Sequence, residues 1–388
     1  MSKTYSLYFH IPFCAHRCAY CDFNTYAGQT DSIPAYVEAL RNEIKAVGES
    51  TSRLSVGTIF FGGGTPSLLT AEQYRDIYQS IHAYFDVSVN VEISLEANPG
   101  TVSQEYLREL RALGFNRISY GVQSANPEEL HMLERIHSYS DVVDAVRWSR
   151  QAGFDNLNID LIYGLPEQTL ERWQRTVQLS LGLRPEHISA YALTLEHGTP
   201  FGRWAAKGLL PIPDPDLAAE QYEWTMDFLA SEGYVQYEIS NWALPGRECQ
   251  HNLQYWRNLD YLGFGAGAHG YAGGFRYSNV LRIKTYIDRL TSPLSSFVFP
   301  LSPATVNQHV NTPRDDMQET MITGLRLTTE GISSEGFQQR FGALLPDVFG
   351  KEIQHLEKVG LLEWAGDTLR LTKRGRLLGN QVFMEFVE

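Results

Sequence analysis

The 388-residue chain has few cysteines, no long apolar run and a deficit of basic residues. It contains 32 Lys and Arg against 45 Asp and Glu, which makes the formal net charge -13. An extended nucleic-acid surface needs an excess of basic residues, and so does anchoring to anionic lipid. No apolar stretch approaches the ~20 residues of a membrane span. The apolar stretch near the N-terminus is too short and too interrupted for a signal peptide. We therefore expect a cytoplasmic protein without a nucleic-acid partner or a membrane span.

The first half of the chain alternates strand-like runs with helical patterns, which predicts an α/β fold. Six strands are predicted, over residues 5–11, 56–61, 91–97, 117–122, 157–163 and 187–193. Strands separated by helices form parallel sheets, because parallel neighbours need crossover connections. The pattern leaves open whether the sheet closes into a barrel or stays open and doubly wound. Either arrangement gathers ligands at the carboxyl ends of the strands.

The last part of the chain has a different pattern, with helices followed by a small β-ribbon. Helices are predicted over 315–325, 334–341 and 345–359, and two short strands follow around a turn near Gly366. This order resembles a winged-helix module. Residues 314–388 contain 9 basic and 12 acidic residues, so we expect packing or docking rather than DNA binding.

Three of the four cysteines, Cys14, Cys18 and Cys21, lie within eight residues directly after the first predicted strand. Three closely spaced thiolates suit a [4Fe–4S] cluster with one open iron, to which a ligand from outside the protein binds. A structural zinc ion normally takes four Cys or His ligands. No second CxxC pair is present, but His10 and His16 are available to complete such a site, so zinc remains the alternative.

A glycine turn, Gly62-Gly63-Gly64-Thr65-Pro66, ends the second predicted strand. Glycine lets backbone N–H groups approach a ligand closely, although such a turn also occurs as an ordinary tight loop. Placed one βα unit after a CxxxCxxC sequence, the turn resembles the radical S-adenosylmethionine (SAM) superfamily, in which it holds the amino group of SAM.

Four further stretches resemble the oxygen-independent coproporphyrinogen III oxidase family. They are YFHIPFC at 8–14, EANP at 96–99, GVQS at 121–124 and DLIYGLP at 160–166. The resemblance covers nearly the whole chain. It implies a partial (β/α)6 radical SAM barrel over residues 1–240, a connecting region over 241–311 and an α+β winged-helix-like domain over 312–388. The cluster and SAM would lie at the carboxyl-terminal rim of the barrel.

The resemblance also assigns SAM-binding residues by position. They are Tyr8, Gly63, Gly64, Thr65, Glu96, Gln123, Arg135 and Asp160. Carboxylates such as Glu96 and Asp160 accept hydrogen bonds from ribose hydroxyls or an ammonium group, and Arg135 can hold a carboxylate. Taken without the resemblance, the two carboxylates could cap turns at strand ends, and Arg135 could be a solvated helix residue.

The sequence departs from the oxidases at two places. Phe23 stands where they carry a fourth cysteine, and only 13 residues precede Cys14, where they have a longer extension. Both departures point to the HemW-type branch of the family, whose members act as haem chaperones.

The HNxxYW string at residues 251–256 supports this branch. It looks like the haem-binding motif of that branch and assigns His251, Asn252, Tyr255 and Trp256 to haem. An imidazole is a common axial ligand of haem iron, although a histidine beside aromatic residues is also common in protein cores. Cys249, two residues earlier, could be a thiolate ligand or a regulatory thiol, but we interpret it as an ordinary buried cysteine.

Three functional hypotheses follow. The first is a haem chaperone that binds haem, a [4Fe–4S] cluster and SAM, and delivers haem to haem-requiring respiratory proteins. The second is an oxygen-independent coproporphyrinogen III dehydrogenase, and the third is a radical SAM enzyme with another substrate. The resemblance is also compatible with a homodimer and with peripheral membrane contact through client proteins.

Overall fold

The computed structural model describes residues 3–292 and 297–387. Its contacts group into two compact units. The first unit comprises the described residues up to Thr225 together with Asp260–His309, and the second comprises Met226–Leu259 and the residues from Val310 onward. The predicted connecting region, 241–311, is thus divided between the two units, and the predicted domain bounds stay a prediction.

The strands lie at the following positions: β1 Thr4–Ile11, β2 Phe13–Cys14, β3 Tyr26–Ala27, β4 Leu54–Gly63, β5 Phe85–Ala97, β6 Arg117–Gln123, β7 Leu157–Tyr163, β8 His187–Ala192, β9 Val235–Glu238, β10 Asn241–Ala243, β11 Tyr261–Phe264, β12 His269–Ala272, β13 Phe275–Asn279, β14 Thr305–Val310, β15 Ile332–Ser333, β16 Leu362–Ala365 and β17 Thr368–Leu371.

The α-helices lie at the following positions: α1 Ile33–Glu49, α2 Ala71–Tyr84, α3 Gln104–Ala112, α4 Pro127–Met132, α5 Tyr139–Ala152, α6 Leu170–Gly182, α7 Pro200–Ala206, α8 Pro215–Ser231, α9 Gln250–Trp256, α10 Ile283–Thr291, α11 Pro313–Gly324, α12 Ser334–Phe341, α13 Leu345–Lys358, α14 Lys373–Leu377 and α15 Gly379–Met384. Across residues 3–292 and 297–387, no helix combines the length and apolar character needed to cross a membrane.

The first unit is built on a sheet whose neighbours β1, β4, β5, β6, β7 and β8 are all parallel. These are the six predicted strands, so the α/β fold and the parallel sheet are confirmed. Side chains on both faces of β1 are largely buried, as expected where helices cover a parallel sheet. The carboxyl ends of the six strands therefore lie at one edge of the sheet.

A seventh parallel strand, β11, pairs with the other side of β1, and β12 and β13 continue from it antiparallel. The sequence analysis did not predict these strands, because glycine disfavours strands and this stretch is rich in it. The glycines permit close backbone contact: a Cβ at Gly263 would lie 1.9 Å from the carbonyl oxygen of His269. A glycine inside a strand marks such an approach.

Helices α2 and α1 begin in different ways. Thr70 and Gln73 form a capping box at the start of α2, with hydrogen bonds of 2.9 and 3.2 Å between the two residues. A 3₁₀ turn precedes α1, and Ser32 adopts a helical conformation without a side-chain capping bond.

The second unit contains the predicted helices α11, α12 and α13, followed by a three-stranded sheet in the order β15-β17-β16. Leu369 and Leu371 of β17 are fully buried and pack with Phe337, Phe349 and Ile353 of the helices. The turn between β16 and β17 contains Gly366 with a φ of 65°. The predicted succession of helices and a β-ribbon is therefore confirmed.

Candidate functional site

The three clustered cysteines lie on a loop that leaves β2 and returns at β3. β2 and β3 pair in parallel, and the N–H of Tyr26 donates to the carbonyl of Pro12 at 2.7 Å, so the loop is closed at its base. Cys14 and Cys18 are buried, Cys21 is half-buried, and all three line one cavity in the first unit.

Each of the three sulfur atoms has a hydrogen-bonding neighbour. The hydroxyl of Thr65 donates to Cys14 Sγ at 3.6 Å, and Nη1 of Arg135 donates to Cys18 Sγ at 3.4 Å. Cys21 Sγ lies 3.8 Å from the hydroxyl oxygen of Thr25. The donors at Cys14 and Cys18 favour sulfur in its thiolate form, which is the form that binds metal.

Burial raises the pKa of the Cys14 and Cys21 thiols in the metal-free chain, and the nearby sulfurs contribute to both shifts. Within the described part of the chain, no three His, Cys, Asp or Glu side chains are arranged to hold a single metal ion. A [4Fe–4S] cluster does not require that arrangement, because each thiolate binds a different iron atom. Three thiols sharing one cavity with donors at sulfur therefore fit a cluster.

The glycine turn is hydrogen-bonded to the segment that leads into Cys14. Gly64 N–H donates to the carbonyl of Ile11 at 2.9 Å, and Thr65 N–H donates to that of Phe13 at 2.7 Å. A Cβ at Gly64 would lie 2.6 Å from the Phe13 oxygen, so only glycine allows this approach. The turn and the cysteine loop therefore form one continuous surface.

Gly63 has a φ of 111°, and a Cβ there would lie 2.4 Å from the ring of His10. Nε2 of His10 lies 2.9 Å from the carbonyl oxygen of Asn24, which can only accept, so Nε2 carries the proton. Nδ1 of His10 then accepts from the hydroxyl of Tyr8 at 2.9 Å. Burial lowers the pKa of His10, which keeps the ring neutral. Sequence reasoning did not assign this supporting role to His10.

Two carboxyl groups, Glu96 at the end of β5 and Asp160 in β7, face the same cavity. Glu96 Oε2 accepts from the N–H of Gly63 at 2.9 Å. Asp160 accepts from the Ser119 hydroxyl at 2.8 Å and from Nδ2 of Asn158 at 2.7 Å. Sequence reasoning missed Ser119. Ser119 lies two residues before Gly121 and four residues before Gln123. Because side chains alternate along a strand, this spacing places the three residues on the same face of β6.

Burial, with a smaller contribution from the nearby Asp160 charge, raises the pKa of Glu96 to about 7. Burial also raises the pKa of Asp160, against the hydrogen bonds from Ser119, Ser189 and Asn158, which lower it. In this cavity both carboxyl groups therefore take up a proton more readily than they would in water.

Arg135 lies beyond the end of α4 rather than on a solvated helix face. Its Nη2 donates to the carbonyl of Gly121 at 2.6 Å, while its Nη1 reaches the Cys18 sulfur. Gln123 has a φ of 71°, next to a register shift between β6 and β7. A Cβ at Gly121 would lie 3.0 Å from Gln123 Nε2 and 3.3 Å from Arg135 Nη2, so both side chains gather over this glycine.

These side chains line one cavity of about 460 Å³, a volume within the range of small-molecule sites. The cavity lining includes seven of the eight predicted SAM-binding residues together with the three cysteines: Gly63, Gly64, Thr65, Glu96, Gln123, Arg135, Asp160, Cys14, Cys18 and Cys21. Tyr8 does not line it and instead supports His10. Phe23 lines the cavity with 63% of its surface exposed.

The predicted haem motif lies on α9 in the second unit. His251 is buried, and its Nε2 is hydrogen-bonded to the hydroxyl of Tyr255 at 2.8 Å. The guanidinium of Arg326 lies 4.4 Å from the centre of the Trp256 ring. Asn252 is half-buried on the same helix, and Cys249, directly before the helix, is fully buried. Coordination of iron through Nε2 of His251 would displace its hydrogen bond to Tyr255.

Comparison with known proteins places the chain. Residues 8–180 match the model of the radical SAM superfamily, and residues 311–378 match that of the HemN C-terminal domain. The chain is 39% identical over 383 residues to the "Heme chaperone HemW" of Bacillus subtilis (strain 168), covering 98% of this chain and 99% of that protein. The chain belongs to the HemW family. The HemW of Escherichia coli (strain K12) is 40% identical over 267 residues, covering 68% and 69% of the two chains.

A solved structure of the coproporphyrinogen III oxidase (HemN) from Escherichia coli, a radical SAM enzyme, matches with a TM-score of 0.84. The match has 26% identity and covers 99% of this chain and 90% of that one. The resemblance inferred from the sequence is thereby confirmed, and so is the radical SAM fold with its additional C-terminal domain.

Proposed function

We propose that this chain is a haem chaperone that binds haem, a [4Fe–4S] cluster and SAM, and delivers haem to haem-dependent respiratory proteins. The observation that carries the proposal is the likeness, over nearly the full length of both chains, to a HemW protein named as a heme chaperone. Cytoplasmic location is part of the proposal, because a reducing compartment keeps cluster cysteines as free thiols.

In this proposal Cys14, Cys18 and Cys21 hold three irons of the cluster. The chemistry that the cluster supplies when bound is the transfer of an electron to SAM. Arg135 holds the carboxylate of SAM, and the glycine turn receives its amino group. The cavity geometry supports these roles, because Arg135 and Thr65 already lie beside the cysteine sulfurs.

Glu96 and Asp160 would accept hydrogen bonds from the hydroxyl or ammonium groups of SAM, and Gln123 can both donate and accept. The bonds from Ser119 and Asn158 fix the orientation of the Asp160 carboxylate before ligand arrives. A preoriented acceptor lowers the free-energy cost of binding. Tyr8 would act from behind the turn, through His10.

His251, Asn252, Tyr255 and Trp256 would form the haem site. His251 is the proposed axial ligand, and the rings of Tyr255 and Trp256 offer surfaces for the porphyrin. Haem binding would then exchange the hydrogen bond between His251 and Tyr255 for a bond to iron.

The second candidate is oxidative decarboxylation of coproporphyrinogen III, which the likeness to the HemN structure favours. Phe23 weighs against this candidate, because it stands in the place of the fourth oxidase cysteine, with an exposed side chain in the cavity. A radical SAM reaction on another substrate is the third candidate.

An anaerobic assay separates the candidates. The reconstituted protein is incubated with coproporphyrinogen III, SAM and dithionite, and products are measured by mass spectrometry. We expect no decarboxylated porphyrinogen, together with a haem-induced Soret band in a parallel titration. Decarboxylated product without haem affinity would establish the second candidate and reject the chaperone. Release of 5′-deoxyadenosine that depends on a substrate other than coproporphyrinogen III, without haem affinity, would establish the third.

A further inference from the structure

A glycine–alanine turn, residues 265–267 between β11 and β12, packs against residues on both sides of the cysteine loop. Gly265 has a φ of 101°, and a Cβ there would lie 2.5 Å from the carbonyl oxygen of His10. Gly267 has a φ of 82°, and a Cβ there would lie 2.4 Å from Nδ2 of Asn24. The contact of the turn with His10 and Asn24 therefore requires glycine at both positions, because any other residue would be strained at a positive φ and its Cβ would clash.

Asn24, three residues after Cys21, joins the cysteine loop to this turn. Its Nδ2 donates to the carbonyl oxygens of Ala266 and Leu281, each at 3.0 Å. Its own carbonyl oxygen accepts from Nε2 of His10 at 2.9 Å. The side chain and the backbone of Asn24 are thus both fixed, on the returning limb of the loop.

The turn itself is held by a buried carboxyl group. Glu43 of α1 is 1% exposed, and its Oε2 accepts from the N–H of Gly265 at 2.8 Å. The N–H of Ala266 donates to the hydroxyl of Tyr36 at 2.8 Å. Three further donors surround Glu43, namely Tyr286 at 2.6 Å, Asn279 at 2.7 Å and Ser302 at 2.7 Å. This buried network of hydrogen bonds makes the turn a rigid support.

We propose that Asn24 is a positioning residue of the cluster loop, and that the turn at 265–267 is its support. The two bonds from Asn24 hold the returning limb of the loop so that Cys21 faces the cavity with Cys14 and Cys18. This inference rests on the proposed function in one respect only, namely that these three cysteines bind the cluster.

Two substitutions remove the contact in different ways, and each has a matched control. Asn24→Asp keeps the shape of the side chain but removes its donors. Asn42→Asp is its control, because Asn42 Nδ2 makes a similar bond to the Leu290 carbonyl at 3.1 Å. Gly267→Ala adds a methyl group that would clash with the side-chain amide of Asn24. Gly274→Ala is its control, with a φ of 81° but no atom within 4 Å of the added carbon.

The experiment measures iron and acid-labile sulfide per chain after anaerobic reconstitution, and the rate at which cluster absorbance is lost in air. We expect Asn24→Asp and Gly267→Ala to retain less than half of the iron of their controls and to lose absorbance at least threefold faster. The EPR signal of the reduced cluster, and its change on adding SAM, should also differ from the wild-type signal in Asn24→Asp. Thermal unfolding of the apo proteins reports any general loss of stability.

Iron content, oxygen sensitivity and EPR signals equal to those of the controls would overturn the inference. If Gly267→Ala does not fold, the comparison of Asn24→Asp with Asn42→Asp tests the inference by itself. Failure of the underlying assumption looks different, because wild-type protein would then take up no cluster, or Cys18→Ala would retain wild-type iron.

Discussion

At the scale of single residues, Glu96 and Asp160 are two carboxyl groups of one cavity with different hydrogen-bond partners. Asp160 accepts hydrogen bonds from Ser119 and Asn158, whereas the hydrogen bond seen at Glu96 comes from the Gly63 N–H. Hydrogen bonds to a carboxylate favour its ionised form, while burial and a neighbouring negative charge disfavour it. Burial and the nearby Asp160 charge raise the pKa of Glu96 to about 7.

Glu96→Gln should stabilise the apo protein at high pH. The pKa of Glu96 is raised above its unfolded value, so its ionisation destabilises the fold as pH rises from about 4.5 through about 7. A shift of this size corresponds to about 3 kcal/mol, which solvent in the cavity reduces to about 1–2 kcal/mol. Urea unfolding should show this gain at pH 8.5 and almost none at pH 4.5. A gain of equal size at both pH values would contradict the assignment.

Ser119→Ala should weaken SAM binding. The substitution removes a donor to Asp160, and a hydrogen bond to a charged group contributes about 1.5 kcal/mol, equivalent to roughly a tenfold rise in Kd. Isothermal titration of the reconstituted protein measures the effect. Ser180→Ala is the matched control, because its buried hydroxyl donates to the Thr176 carbonyl within α6. Equal Kd values for the two variants would exclude a role for Ser119.

At the scale of elements, the glycine turn lies at the carboxyl end of β4, where the sequence predicted it. Each glycine has a specific neighbour, His10 behind Gly63 and the Phe13 carbonyl behind Gly64. Its position after a strand was readable from hydrophobic patterning. Its attachment to the cysteine strand was not, because main-chain contacts between distant segments leave no local signal.

Gly63→Ala should abolish SAM binding and destabilise the protein by more than its control, Gly28→Ala. Both positions have positive φ, 111° and 71°, so both substitutions carry the left-handed penalty of about 1–2 kcal/mol. Gly28 has no atom within 4 Å of an added Cβ, whereas at Gly63 the new carbon meets His10. SAM titration and thermal unfolding of the two variants check this. Wild-type SAM affinity in Gly63→Ala would show that the turn does not hold the ligand.

Helix α9 illustrates the limit of motif reading. The sequence predicted a haem-binding motif that contains His251 and two aromatic residues. The structure adds that Nε2 of His251 is hydrogen-bonded to Tyr255. The i to i+4 spacing of the two residues brings them together on one helix face. The direction and partner of a side-chain hydrogen bond depend on rotamers, which a sequence motif does not specify.

Tyr255→Phe should raise haem affinity about two- to tenfold. The variant keeps the aromatic ring but removes the hydroxyl that competes for Nε2 of His251, and a hydrogen bond of this kind contributes about 0.5–1.5 kcal/mol. Absorbance titration in the Soret region measures the change. Weaker binding would instead show that the hydroxyl contributes directly to the haem site.

At the scale of the whole molecule, the chain carries its two proposed sites on different units. The cysteines and the SAM cavity belong to the first unit, and α9 belongs to the second. The six parallel strands and the C-terminal helices were predictable, because their hydrophobic periods are regular. The pairing of β11 with β1 and the Glu43 network were not, because they depend on contacts between residues more than 200 positions apart.

The central claim is that this radical SAM fold carries haem, and anaerobic haem titration with transfer to a haem-free acceptor tests it most directly. The wild-type protein should develop a saturable Soret band and pass the haem to the acceptor. His251→Ala should lose both properties, while His355→Ala, at an exposed histidine of the same unit, should keep them. A wild-type protein without a Soret band, or one that binds haem but never transfers it, would contradict the account.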